Sequence, residues 1–492
     1  MLSGGKWWRG RCSWGHMRMV LVGATLVGLT IGACSGSGSD VPATSPADGA
    51  DAGADATTVT PAGAVTFHKD ALPILQKVCQ NCHIAGGIAP FSLVSYADAQ
   101  AVAGAIVAQT ASRTMPPWGA QTTAECQPPH AWKDDLRLSE QDIATLKAWH
   151  DGGDLEGDPK DAPPPRAAKP TGGLAGATSL TPAAPFTVAG TKDAFRCYVL
   201  DPNITTTKYL NGTNFVPSNK TVVHHALTYA IPKGTAVPGD SYECFGGPNV
   251  EGSTLVAAWA PGGVPNEYPA DVGLPVEPGT RFIMQVHYHP HANATPEPDA
   301  TTFQFRLTDT APSWVAQTRL IGNFNRENIA PGIGLEPGMN DPSTGAAFSI
   351  PAGKAGHIET MKFVMPSIGP KGLPVPPLRI LGLGAHMHLA GRDQKITITK
   401  GSAAPQCLLQ VPAWDFNWQR GYQYDTPMES LPLIVPGDTL QVRCTYDNTM
   451  QNRALATALA EQGNNQPKDI ALGESTLDEM CLGSFLFLYK AK

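Results

Sequence analysis

Apolar residues change their spacing several times along the chain. Met19 to Ala33 is an unbroken apolar run, whereas residues 35–64 are Ser, Gly, Ala, Thr, Asp and Pro with almost no large apolar side chain. Phe67 to Val78 and Leu138 to Trp149 then repeat apolar positions at helical spacing. Ser139 followed by Asp142 resembles a capping box, and Asp151-Gly152-Gly153 supplies a helix C-terminus, so a helix is predicted between them. A second low-complexity stretch, 154–185, carries Pro163-Pro164-Pro165 and Thr171-Gly172-Gly173. Beyond it the apolar residues gather in short runs such as Thr221-Val222-Val223, Phe282-Ile283-Met284 and Leu378-Arg379-Ile380-Leu381, the pattern of strands.

Composition agrees with that reading. The 492 residues include 51 Gly and 45 Pro, and only 16% are charged. Such a chain is neither disordered nor a coiled coil as a whole, and its length predicts more than one domain. The expected layout is 1–34 export signal, 35–64 tether, 65–153 helical domain, 154–185 linker, then a β-rich unit from 186. Lys6, Arg9, Arg11 and Arg18 face no acidic residue within 1–33, so the rest of the chain carries −11 and nucleic acid is not an expected partner. The run from Met19 is shorter than the ~20 residues of a spanning helix. With Ile31-Gly32-Ala33-Cys34 behind it, it resembles a bacterial lipoprotein signal, which would leave Cys34 lipidated and the protein exported to the cell envelope or periplasm, with a lipid anchor as its membrane contact.

Cys79-Gln80-Asn81-Cys82-His83 matches C-x-x-C-H, in which two thiols bond a haem c and the histidine ligates its iron. No second C-x-x-C follows to make a zinc site. The two predicted helices around a loop carrying Arg113-Thr114-Met115-Pro116-Pro117-Trp118 resemble a small cytochrome c domain, with Met115 as the second axial ligand and His68 and His130 as competitors. Cys126 has no assigned role.

Seven of the 13 histidines lie in three knots: His224-His225, His287-x-His289-x-His291 and His386-x-His388. Residues i and i+2 of a strand share a face, so His-x-His brings two imidazoles to one point and indicates a metal site. His224 and His225 would point to opposite faces of a regular strand. Their joint ligation, completed by His287, needs a bulge, a strand end or mixed use of the ring nitrogens. His289 and His291 fall on the His287 face. Either His289 replaces His224 as a ligand, or both extra rings face solvent.

The order His224-His225, then Gln285-Val286-His287-Tyr288, then His386-Met387-His388-Leu389-Ala390-Gly391-Arg392, then Asp478-Glu479-Met480-Cys481, resembles the copper type II, ascorbate-dependent monooxygenases, a family that includes peptidylglycine α-hydroxylating and dopamine β-monooxygenases. The resemblance spans about 193–489, beginning near Phe195-Arg196-Cys197 and including Ala257-Ala258-Trp259-Ala260-Pro261. It implies two all-β jelly-roll sandwich subdomains, 186–310 and 311–492, facing across an open cleft; with the small all-α cytochrome c-like domain expected ahead of them, the chain is multidomain. It implies two coppers, one for electron transfer on His224, His225 and His287, and a catalytic one that meets dioxygen on His386, His388 and Met480. Gln285 takes an electron-transfer role and Cys444 pairs with Cys481, with Cys197 and Cys244 a second candidate pair. A thioether favours Cu(I), the state that must bind dioxygen.

The implied reaction hydroxylates an activated C–H of a small molecule using dioxygen, two electrons and two protons. The electrons would come from the fused haem, an external donor, ascorbate or another small reductant. The amidating enzymes place an Arg two residues before His-x-His and an Asn and a Tyr after the Met. Here those positions are Gly384, Leu482 and Ser484, so a peptide-glycine substrate is not expected and the wording is closer to the amine hydroxylases. Trp414, Phe416, Trp418, Tyr422 and Tyr424 are either a pocket lining or core. Glu479 either recognises a cation or is an exposed carboxylate without a role. Two other functions stay open: a haem/copper electron-transfer or copper-handling protein without oxygenase activity, and a hydrolytic zinc enzyme, for which haem and a thioether have no task.

Overall fold

The computed structural model describes residues 63–491 apart from 86, 88, 166–172, 189, 191, 261–262, 291–297, 324–332, 337–347 and 369–374. The expected signal, Cys34, nearly all of the tether and His291 therefore lie outside the described residues. No described helix is long and apolar enough to cross a membrane.

Two helices, Leu72–Lys77 and Glu140–Asp151, form where the periodicity predicts them, joined by Tyr96–Gln100 and Ala103–Ala111. The capping box at Ser139 is made in both directions: Asp142 N donates to Ser139 Oγ (3.0 Å) and Ser139 N to Asp142 Oδ2 (3.1 Å). Phe67, Leu75, Leu146 and Trp149 fill the small core.

The stretch read as a linker is not free. Phe67 N donates to the Leu155 carbonyl (2.8 Å), Trp149 Nε1 donates to the same carbonyl (3.0 Å), and Ala162 packs on the helical core. At its other end Thr178–Leu180 is a strand paired with Thr302–Thr308. Low-complexity sequence here adheres because it satisfies backbone groups and aromatic N–H donors that the folded units leave over.

From there on the chain is almost all β. A five-stranded sheet, with Arg281–Tyr288 between Ala194–Leu200 and Val223–Ile231, packs on the Lys208–Val216 and Thr302–Thr308 strands, and Phe282, Phe303, Phe305 and Tyr288 fill the space between them. A second sandwich sets Leu378–His386 and Cys481–Lys490 against Ala355–Val364, Gly391–Thr399 and Thr439–Asp447. The sandwiches share a ten-stranded sheet, joined where Trp314 and Val315 pair in parallel with Val272 and Gly273.

The segment following Met115 departs from the expected domain plan. Trp118, Ala120 and Trp132 belong to the core of the second sandwich, not to the helical one. Gln121 N donates to the Gln410 carbonyl (3.0 Å), Lys133 N to Gln423 (2.8 Å) and Asp425 N to Ala131 (2.9 Å), while Trp132 stacks on Tyr424 with centroids 4.7 Å apart. His130, a candidate haem ligand, instead bonds the Ser430 carbonyl through Nε2 (2.8 Å). Cys126 and Cys407, both without an assignment from sequence, form a disulfide, so the helical unit is bolted to the sandwich it was expected to reach on a tether.

Replacing both Cys126 and Cys407 with Ser should destabilise that attachment by about 2–4 kcal/mol, because the cross-link restricts the unfolded chain. A lower Tm and new proteolytic cleavage between residues 118 and 133 are expected; unchanged resistance to both would show that hydrogen bonds and aromatic packing suffice.

Candidate metal centres and the haem cavity

The strand pairing resolves how neighbouring histidines serve one site. His287 lies opposite His225, yet Tyr288 lies opposite Val223, so His224 is the extra residue of a β-bulge. The bulge turns His224 toward the face of its neighbour. The three Nδ1 atoms then stand 3.0, 3.2 and 3.4 Å apart. A point equidistant from them is about 1.9 Å from each, close to a metal–imidazole bond of roughly 2.0–2.1 Å. A single Nδ1 proton cannot satisfy all three contacts: whichever nitrogen carries it, one lone-pair-to-lone-pair contact is left. Burial, followed by mutual repulsion, holds His224 and His225 well below the ordinary histidine pKa, and burial lowers His287 as well. Uncharged converging nitrogens are what a cation requires.

Behind this cage, Phe195 stacks on the His287 ring at 4.1 Å. His289 is neither a ligand in the cage nor turned to solvent: its Nδ1 donates to Asp193 Oδ1 (2.6 Å). Asp193 Oδ2 lies 3.6 Å from His287 Nε2 and accepts from Thr476 N (2.9 Å) and Oγ1 (2.8 Å) of the second sandwich. These donors hold the Asp193 carboxyl far below its usual range, against a burial cost that would raise it. Gln285 is buried two residues before His287, with its Nε2 donating to the Cys244 carbonyl (2.8 Å) beside the Cys197–Cys244 disulfide.

The second cluster uses the opposite ring nitrogens. His386 Nδ1 donates to Gln419 Oε1 (2.6 Å) and His388 Nδ1 to the Asp478 carbonyl (2.9 Å), which leaves the Nε2 lone pair of each available to a metal. His386 ends the strand Leu378–His386 opposite Leu482, two residues after Met480 in the chain. Met480 is buried, and the next residue, Cys481, is bonded to Cys444 on the facing sheet, as the resemblance implies. Two imidazoles and a thioether form a donor set suited to Cu(I).

Glu479 corrects both of its expected roles. It is fully buried and touches no cation: Oε2 accepts from His388 N (2.7 Å) and Met480 N (3.2 Å), and Oε1 from Ala390 N (2.7 Å) and Gly391 N (3.2 Å). Burial pushes its pKa up to about 8, while the four amides pull it down. One carboxyl thus fixes the turn carrying His388 to the residue carrying the thioether.

The expected open cleft is not present. His225 and His386 have ring centroids 6.5 Å apart, and Phe416 of the second sandwich stacks on His224 at 4.3 Å. The Phe416 stack and the Asp193–Thr476 bonds close the sandwiches on each other. Trp414, Phe416, Tyr422 and Tyr424 are mainly core, although Trp418 and Tyr422 also line a cavity.

That cavity, about 2200 Å³, is lined by the helical unit and by both sandwiches, with Cys82, Phe215, Trp259 and Tyr422 among its walls; Cys79 and His83 of the C-x-x-C-H motif do not line it. Cys79 and Cys82 are the free cysteines of the described chain, and His83 Nδ1 donates to the Phe91 carbonyl (3.2 Å), which leaves Nε2 for iron. Burial lowers the His83 pKa and keeps the ring neutral. Met115 is half-buried but does not line the cavity, whereas His68 does.

Sequence reasoning found the histidines and Met480 but missed Asp193, Thr476 and Gln419, which carry no motif and meet their partners only across the fold. Glu479→Gln, which offers the turn one oxygen and an unmatched NH2, should weaken copper at His386/His388 about 10–100-fold in a metal titration and leave the His224 cage unaffected. A histidine with a depressed pKa favours its neutral form in the fold; that contribution is complete above about pH 6.5 and fades as the pH falls toward the His388 value, lowered by burial to about 3. Copper at this centre should therefore survive dialysis at about pH 5, where unperturbed histidines are protonated.

Residues 182–295, which contain the His224, His225 and His287 cage, match the family model of the copper type II ascorbate-dependent monooxygenase N-terminal domain. The chain is 27% identical over 281 residues to DBH-like monooxygenase protein 2 of Mus musculus, covering 56% of this chain and 39% of that protein. It is 26% identical to putative DBH-like monooxygenase protein 2 of Homo sapiens (55% and 48% covered) and 24% identical to dopamine beta-hydroxylase of Canis lupus familiaris (42% and 30%). It spans less than half the length of each of these relatives. The matches, with the imidazole cage inside the matched segment, support the copper type II ascorbate-dependent monooxygenase family for the β-rich part of this chain.

Proposed function

We propose that this chain is a copper-dependent monooxygenase that hydroxylates an activated C–H bond of a small organic substrate with dioxygen. Copper bound at the two clusters would supply one-electron redox change and dioxygen binding. The observation that carries the reading is the difference between the clusters. Three Nδ1 donors form a cage tolerant of both copper oxidation states, whereas two Nε2 donors and the Met480 thioether favour the reduced one. His224, His225 and His287 then serve electron transfer, with Gln285 on the same strand face, and His386, His388 and Met480 serve catalysis. Their apposition, 6.5 Å between the His225 and His386 rings, leaves a short path between them.

The reading extends to a covalent haem c on Cys79 and Cys82 as the fused electron store, with His83 as an axial ligand; Met115, expected as the second, is not among the residues lining the cavity. It also includes an external reductant and export with a lipid on Cys34. The three disulfides of the described residues accord with an oxidising compartment. A peptide ending in glycine is disfavoured because Gly384 stands where the amidating enzymes hold a carboxylate with Arg. The closed apposition also suits a haem/copper electron-transfer protein without oxygenase activity, and Met480 separates the two.

In an oxygen-uptake screen over aromatic amines, Met480→Ala should lower hydroxylation at least about 100-fold, since the residue acts directly on the metal that meets dioxygen. Haem-to-copper electron transfer should persist. Hydroxylation that survives the substitution would remove the oxygenase assignment of this centre.

A further inference from the structure

Residues 472–479, which lead into the thioether, form a loop closed on itself. Leu472 and Glu479 pair as a bridge, Gly473 N donates to the Glu479 carbonyl (3.2 Å), and Ser475 N donates to Asp478 Oδ2 (3.2 Å). A Cβ on Gly473 would stand 2.3 Å from that carboxylate oxygen, so the two sides of the loop are in direct contact. A displacement at the tip therefore reaches the base. At the base are three parts of the second centre: the Asp478 carbonyl that accepts from His388 Nδ1, the Glu479 clamp and Met480 itself.

The first sandwich holds the tip at two points. Gly246 N, two residues beyond the disulfide-bonded Cys244, donates to Glu474 Oε2 (2.8 Å). Thr476 donates through N (2.9 Å) and Oγ1 (2.8 Å) to Asp193 Oδ2. The same Asp193 oxygen stands 3.6 Å from His287 Nε2, a buried nitrogen that makes no hydrogen bond. That separation is about 0.7 Å longer than an ordinary N–H···O bond of ~2.9 Å. Because the cage converges Nδ1 atoms, a metal there confines the His287 ring proton to Nε2, where it faces the carboxylate. Metal-bound imidazoles characteristically donate their second N–H to such an acceptor.

We propose that Asp193 is a positioning residue that couples the two metal centres: a metal in the His224/His225/His287 cage draws its carboxylate onto His287 Nε2, and through Thr476 this holds the 472–479 loop and Met480 in place. Cage occupancy then tightens Cu(I) at the His386/His388/Met480 centre, and by linkage the reverse is equally true. The inference rests on the copper reading above.

Its test follows the loop directly, in the full chain carrying His386→Ala and Met480→Ala so that the cage is the site left for Cu(I). Under argon, Cu(I) uptake is measured by competition with a chromogenic chelator, and amide exchange of residues 473–479 by mass spectrometry. Cu(I) in the cage should slow that exchange at least about fivefold. With Asp193→Ala added, the cage should still fill at saturating Cu(I) and the slowing should vanish; a residue that only supported the fold would change exchange equally with and without metal. Thr476→Val, which leaves Asp193 beside His287 and removes one of the loop's two bonds to it, should at least halve the response, and carries the test if Asp193→Ala does not fold. In the chain with both centres intact, Thr476→Val should weaken Cu(I) at the sulfur-ligated site at least about fivefold, read from the Cu–S component of X-ray absorption during the competition. Full slowing in either loaded variant, no slowing in the loaded cage-only chain, or an unchanged affinity at the sulfur-ligated site overturns the coupling. An unmutated chain that takes up no copper overturns the metal reading instead.

Discussion

Three imidazole nitrogens held within 3.4 Å of one another, in a place where protonation is penalised, set the terms for everything around them. Without a cation this contact is repulsive, so the scaffold must impose it. It does so with a bulge that brings His224 round to the face of His225, a Phe195 ring against His287, and a Phe416 ring against His224. The last of these comes from the other sandwich. Preorganising one metal cage thus already requires the two sandwiches to be closed.

The second cluster is held by a different device. Its rings are oriented through hydrogen bonds from their Nδ1 atoms, and its turn through a single carboxyl, Glu479, that accepts from four backbone amides. Tyr446 Oη donates to the Met480 carbonyl from the facing sheet (2.6 Å), and the Cys444–Cys481 disulfide ties the same two layers. The backbone at Met480 is thus restrained by a tyrosine hydroxyl, a buried carboxyl and the neighbouring disulfide.

The helical unit joins this arrangement as a component and not as an appendage. Its loop from Trp118 to Lys133 contributes aromatic rings to the second sandwich's core, accepts and donates backbone hydrogen bonds there, and is covalently closed by Cys126–Cys407. Fixed docking holds the helical unit against the second sandwich, a contact that a flexible linker would make only intermittently.

What the residues alone determined is what depends on short spacing. The capped helix at Ser139, the C-x-x-C-H motif, the strand-borne histidine knots and the need for some departure from a regular strand at His224-His225 all follow from the periods of helix and strand, because neighbours in sequence stay neighbours in any fold. The ordered histidine motifs carried the ligand sets by resemblance. The tertiary structure decided which ring nitrogen each histidine presents, that Glu479 is a buried clamp, that Asp193 and Thr476 join the sandwiches, that Cys126 finds Cys407, and that the cleft is closed. Each of these depends on a partner tens to hundreds of residues away, selected by sheet order and packing; local spacing carries no record of such pairings.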